Sequence, residues 1–287
     1  MPISTTDAAL LGLVQGLTEF LPVSSSGHLV LFGHALGLTD AADNVFFDSL
    51  LHGATLLAVL CYFARDVGRA AIAFVRALLA LPRVGRRAFT LQATAAGDSL
   101  AYDVADAQLA LFVLVASVPT GLIGVLFKDP LESLFGSPRL VAAALLGTAA
   151  ILISTRWARD RAEQRRPLTW RNALIVGTAQ GVAIIPGISR SGSTIAAALW
   201  CGIAPMQAAR ASFLLSVPAI LGALLLQVRH LGEVSLSAAA IGAGAALAFA
   251  TGLAAIYAVM RIIRTRAFWL FGLYCAVAGA VGLALLS

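Results

Sequence analysis

Apolar residues in this chain do not alternate with polar ones; they come in long runs, and the polar residues crowd into the gaps. Six runs poor in charge, at roughly 47–65, 107–127, 139–157, 207–227, 236–260 and 266–286, approach the ~20 residues a helix needs to cross a hydrocarbon core. Arginines at their ends have room to snorkel. Two further apolar regions, 7–37 and 171–201, are interrupted midway by "LPVSSSG" and "IPGISRSG". A helix broken at membrane depth frees backbone groups that hydrocarbon cannot satisfy, so such a break survives only against protein or a wet cavity. The pattern predicts an all-α integral membrane fold of six transmembrane helices and two re-entrant helix hairpins.

The two broken regions resemble each other. Sliding the chain by 165 residues pairs Gly12 with Gly177, Gln15 with Gln180, Gly16 with Gly181, Ser24 with Ser189, Ser26 with Ser191 and Gly27 with Gly192, six identities in seventeen positions. Each hairpin is followed by three spans, which predicts two repeats, 1–160 and 161–287. Of the 20 Lys and Arg residues, six lie between Arg65 and Arg87, six between Arg156 and Arg171 and three between Arg261 and Arg266. The positive-inside rule makes those segments cytoplasmic. The hairpins then enter from opposite sides, an inverted-topology repeat whose site belongs near the midplane, and both termini face outward. Arg65, Arg69 and Arg76 share a helical stripe and predict an interfacial helix. Beyond it, 82–106 reads as a polar cytoplasmic loop with no chemistry of its own.

Composition agrees with a bilayer: 60% hydrophobic, 12% charged and a mean hydropathy of +0.90. The net charge of +6 sits in short loops, where it acts as a topology signal, and nothing supports a nucleic-acid partner. Cys61, Cys201 and Cys275 are scattered within apolar runs and imply neither a disulfide framework nor a zinc site; they read as small core residues. The first residues lack the basic region and cleavage site of a secretory signal and read as mature chain.

The reactive residues gather at the breaks. Gln15 and Glu19 are one turn apart on the first half-helix. An ionisable residue inside a membrane is functional by default, because burying it unpaired is costly. Ser24, Ser25 and Ser26 stand where the next half-helix begins; capping explains one serine, but neither the other two nor His28. In the second hairpin Arg190 occupies the equivalent helix start, flanked by Ser189, Ser191, Gly192 and Thr194. A helix N-terminus offers unpaired N–H groups to an anion, and arginine adds a fork that matches two phosphate oxygens. A structural Arg190 would need a carboxylate, and the nearest in sequence are Glu163 and Glu233. Facing hairpins would therefore make a phosphate pocket, with Gln15, Ser24, Ser26 and Gly27 contributing from the first. Asp48 and His52, one turn apart, line the pocket, tune His28 or solvate a helix end; His34 and His230 read as structural.

"QGLTEFLPVSSSGH" at 15–28 and "PGISRSGST" at 186–194 resemble the two signature motifs of the bacterial undecaprenyl-diphosphate phosphatases, membrane enzymes linked to bacitracin resistance. The resemblance extends over nearly the whole span pattern; "HGATLLAV" at 52–59 departs from it. It implies hydrolysis of undecaprenyl diphosphate to undecaprenyl phosphate and phosphate on the outer side of the bacterial plasma membrane, which recycles the lipid carrier of peptidoglycan synthesis. By position, the family's (Glu/Gln)-x-x-x-Glu motif falls on Gln15 and Glu19, its catalytic Ser and His on Ser25 and His28, and its phosphate-binding Arg on Arg190. A divalent cation, Mg2+ or Ca2+, is implied at Glu19; Gln15 stands where some members carry a second carboxylate. Two mechanisms stay open: Ser25 attacks phosphorus with His28 as base, or His28 attacks directly, with Glu19 orienting His28 or holding the metal. A homodimer stays open as well. The rival class is a secondary transporter or channel with Arg190 as an anion filter.

Overall fold

The computed structural model describes residues 3–38, 41–84, 98–127, 134, 136–227 and 236–286. Among these every regular element is a helix: α1 (Thr5–Phe20), α2 (Ser25–Ala35), α3 (Ala41–Tyr62), α4 (Ala64–Val84), α5 (Asp98–Leu126), α6 (Pro138–Ala162), α7 (Trp170–Val182), α8 (Arg190–Trp200), α9 (Pro205–Gln227), α10 (Ala238–Ile262) and α11 (Leu270–Leu285). The starts follow from capping chemistry. Ser4, Ser24, Ser137, Thr169, Ser189 and Ser237 each accept a backbone N–H from the first turn of their helix.

Each predicted break lies between two helices in contact, α1 with α2 and α7 with α8. Four helices are long and apolar enough to cross a bilayer among the described residues: Ala105–Leu126 of α5, α6, Pro205–Leu225 of α9, and α10. A fifth comes from α3 if it is counted with α4, from which it is bent by 77°. The last predicted span is shorter than expected. Residues 263–269 wind through turns, leaving α11 with 16 residues, about 24 Å of helix.

α4 leaves the direction of α3 and is fastened to its neighbours by charge. Arg210 on α9 meets Asp66 at 2.7 Å and Asp106 at 3.4 Å, while Arg69 meets the same two carboxylates at 2.9 and 3.6 Å. This network explains where the expected loop at 82–106 was wrong. Helix α5 already begins at Asp98, and Asp106 within it, which reads as a loop residue, is buried in ion pairs with Arg69 and Arg210. Residues 85–97 lie outside the described set, as do His230, Glu233 and the side chain of Arg76. Of the cysteines only Cys275 is in the core; Cys61 is exposed and Cys201 half-buried, which corrects the expectation for those two.

α1 packs along α10 and α7 along α5, while α3 also meets α10 and α9 also meets α5. Small residues allow the first two contacts. A Cβ on Gly12 would fall 2.2 Å from the Gly244 carbonyl oxygen, and one on Gly177 would fall 2.1 Å from that of Ala116. Gly12→Ala should therefore force α1 off α10 and destabilise the fold by about 1–3 kcal/mol, the usual cost of overpacking. Thermal unfolding in detergent checks this. Gly53→Ala, with open space around its Cβ, is the control and should melt like the parent or higher.

Candidate active site

Each hairpin break has to satisfy its own freed backbone groups, and other parts of the protein do so. In the second break Thr148 of α6 donates to the Gly187 carbonyl at 2.7 Å and accepts from the Ser189 N–H at 2.9 Å. In the first, the Leu21 carbonyl accepts from Ser191 at 3.3 Å, and the Pro22 carbonyl lies 3.8 Å from the Cys275 sulfur. The tips touch. A Cβ on Gly27 would stand 3.1 Å from the Gly187 Cα, and Gly187 itself has φ +95°, open to glycine. Ser24 takes φ 71° without being glycine, a strained conformation of the kind found at functional sites.

The two half-helix starts make matching serine contacts, although Ser24 has φ 71° and Ser189 φ −71°. Ser24 Oγ accepts from Gly27 N at 3.3 Å, as Ser189 Oγ does from Gly192 N at 3.1 Å. Ser24 lies 3.3 Å from Ser26, and Ser189 lies 3.3 Å from Ser191. Ser25 and Arg190, the next equivalent pair, converge on one side chain, the buried carboxylate of Glu19.

Glu19 is the hub. Its Oε2 accepts from Ser25 Oγ at 2.5 Å and from Gln15 Nε2 at 3.1 Å, with His52 Nε2 at 3.7 Å; its Oε1 pairs with the Arg190 guanidinium. The missing partner of Arg190 is thus 171 residues away in sequence, while Glu163 pairs with Arg266. Gln15 is fully buried and its Oε1 has no hydrogen-bond partner. His52 is directed by the Asp48 carbonyl, 2.7 Å from its Nδ1, and faces Glu19 rather than His28.

His28 stands slightly apart. Its Nδ1 is 2.8 Å from the Ser24 carbonyl and its Nε2 is 2.8 Å from the hydroxyl of Tyr274 on α11. The expected Ser25–His28 and Glu19–His28 pairs are therefore replaced by Ser25–Glu19 and His28–Tyr274. Thr194 also turns elsewhere: its hydroxyl bonds the Arg190 carbonyl at 2.8 Å and Ser212 at 2.6 Å, one turn from the cluster. Tyr274, Thr148 and Ser212 carried no signal in the sequence, each being a polar residue within an apolar run and outside both breaks.

A family model described as Bacitracin resistance protein BacA matches residues 8–281. The chain belongs to this family. The BacA match covers both hairpin breaks and every residue of the cluster, and with the apolar helices it makes the chain a multi-pass membrane protein. A protein of Desulfatibacillum aliphaticivorans named undecaprenyl-diphosphatase is 45% identical over 277 residues, 96% of either chain. One of Salinibacter ruber, with the same name, is 41% identical over 285 residues, 98% of either chain. A third of that name, from Korarchaeum cryptofilum, is 41% identical over 282 residues, 98% of this chain and 97% of its own.

Proposed function

We propose that the chain hydrolyses undecaprenyl diphosphate to undecaprenyl phosphate and phosphate at the outer face of the plasma membrane, recycling the cell-wall lipid carrier. The observation that carries the proposal is the convergence of Ser25 and Arg190 on Glu19, where the starts of α2 and α8 meet. That arrangement combines an activated hydroxyl, a guanidinium and two helix N-termini at one point, which suits a phosphoryl group. The names of the relatives supply the lipid. The two hairpins and the paired contacts of α1 with α10 and α7 with α5 support an inverted repeat of halves 1–160 and 161–287. In that arrangement α11, short as it is, counts as the sixth span, and the arginine-rich segments face the cytoplasm.

In this mechanism the terminal phosphate displaces Glu19 from Arg190 and takes the guanidinium, with the Ser189 and Ser191 hydroxyls and the half-helix N–H groups around it. The freed carboxylate then accepts the Ser25 proton across the 2.5 Å contact as Oγ attacks phosphorus. The bond to the bridging oxygen breaks in line, and the lipid monophosphate leaves with little need of a proton. His28 is one turn further along α2. Its Nδ1 is committed to a carbonyl, so Nε2 is the lone pair that takes a proton from the water that cleaves the phosphoserine. Mg2+ or Ca2+ suits the same place: Glu19 and the unpartnered Gln15 Oε1 would hold it, and substrate phosphates would complete its shell, as is usual for Mg2+. When bound, the cation neutralises charge on the diphosphate.

Purified protein in detergent micelles, with no gradient, is expected to release orthophosphate from farnesyl or undecaprenyl diphosphate. A folded preparation that releases none would leave the transporter or channel as the better account.

A further inference from the structure

His28 has a hydrogen-bond partner at each ring nitrogen, and chemistry fixes the sense of one of them. A carbonyl oxygen only accepts, so the 2.8 Å contact with Ser24 places a proton on Nδ1. In the neutral ring Nε2 is then an acceptor, and the Tyr274 hydroxyl donates to it at 2.8 Å. Once Nε2 gains a proton the same phenol oxygen can accept from it. Tyr274 thus serves the reactive nitrogen in both of its charge states. The two rings lie near-parallel, 8° between planes, with their centroids 5.7 Å apart.

The place of Tyr274 on its helix is unusual. Leu270, Leu273, Val277 and Val281 form the exposed apolar stripe of α11, and Tyr274 belongs to it, 50% exposed, while His28 is 6% exposed. A tyrosine on a face suited to hydrocarbon needs a polar partner for its hydroxyl, and here that partner is His28, turned inward. The phenol is therefore the group between His28 and the side from which a membrane lipid approaches.

Resting on the phosphatase function above, we propose that Tyr274 is a positioning residue of the reaction. It holds the His28 ring with Nε2 toward the arriving headgroup and carries that nitrogen's hydrogen bond until the hydrolytic water takes its place. The water's proton then passes to Nε2, its oxygen forms the new bond to phosphorus as the Ser25 ester bond breaks, and Ser25 Oγ takes back the proton that Glu19 had accepted.

Tyr274→Phe removes one oxygen and keeps the ring, so the variant should melt like the parent. Its kcat for farnesyl diphosphate should fall about tenfold, the effect of one hydrogen bond to a group that becomes charged, with KM within about twofold. Independently of turnover, Nε2 freed of its donor should react faster with diethyl pyrocarbonate, read as carbethoxylation of the His28 peptide by mass spectrometry. Parent-like kcat in the variant overturns the proposal whatever the carbethoxylation rate, and so does a loss confined to KM. In either case the parent still releases phosphate and the phosphatase function stands. If the parent itself releases none, that function fails and the role of Tyr274 falls with it.

Discussion

Phosphate release from farnesyl diphosphate should fall roughly a thousandfold when Glu19 is replaced by glutamine, within the range that removal of a general base produces. The substitution keeps the shape of the side chain and leaves an amide where a carboxylate accepted the Ser25 proton at 2.5 Å. An amide has no comparable basicity, so Ser25 loses its base while its position is kept. A second consequence separates this explanation from simple damage. In the parent, Glu19 occupies the Arg190 guanidinium that the phosphate must take. The neutral amide is a far weaker competitor for it, so the Glu19→Gln variant should bind inorganic phosphate or pyrophosphate more tightly than the parent, seen as a larger rise in melting temperature with added anion. A variant that keeps a tenth of the parent rate removes Glu19 from the mechanism; one that is inactive but binds phosphate no better removes it as the placeholder on Arg190.

The parts of the fold that were readable in the sequence are those set by local chemistry. Pro, Gly and Ser punctuate the two hairpins, and Ser24 and Ser189 cap α2 and α8 because a serine before a helix start competes for the same N–H groups wherever it occurs. The serine pairs at the 165-residue offset were legible for the same reason, since both cap a helix start. Elements that depend on partners were misread. The start of α5 looked like a loop because the stretch is polar, and the arginines that pair with buried Asp106 come from α4 and α9, distant in sequence.

The site divides along the same line. That Glu19, Ser25, His28 and Arg190 stand at the hairpin breaks follows from their positions; which of them pair does not. His28 follows Ser25 by three residues, a spacing that suggests a couple, yet each turns to a group elsewhere: Ser25 to Glu19 across the break, His28 to Tyr274 after 246 residues. Helical spacing reports a shared face but not the neighbour beyond it. Thr148, which satisfies both Gly187 and Ser189, shows the limit well, because its importance comes from a break in a different helix pair.

Arg190→Lys should cost about a hundredfold or more in kcat/KM, near the effect of removing one preorganised donor from a transition-state site. The charge survives, so a long-range attraction would be little changed; what disappears is the planar fork that holds two phosphate oxygens at once. The loss should appear chiefly in kcat, because charge builds on those oxygens as the phosphoryl group transfers. Arg190 and Glu19 also constrain each other. If they act on one phosphate at one point, the double variant Glu19→Gln with Arg190→Lys should lose much less than the product of the two single losses, since either change already disables the shared step. Losses that multiply would mean that the two side chains, in contact across the hairpin tips, act on independent steps, and the single site formed where α2 and α8 begin would have to be divided.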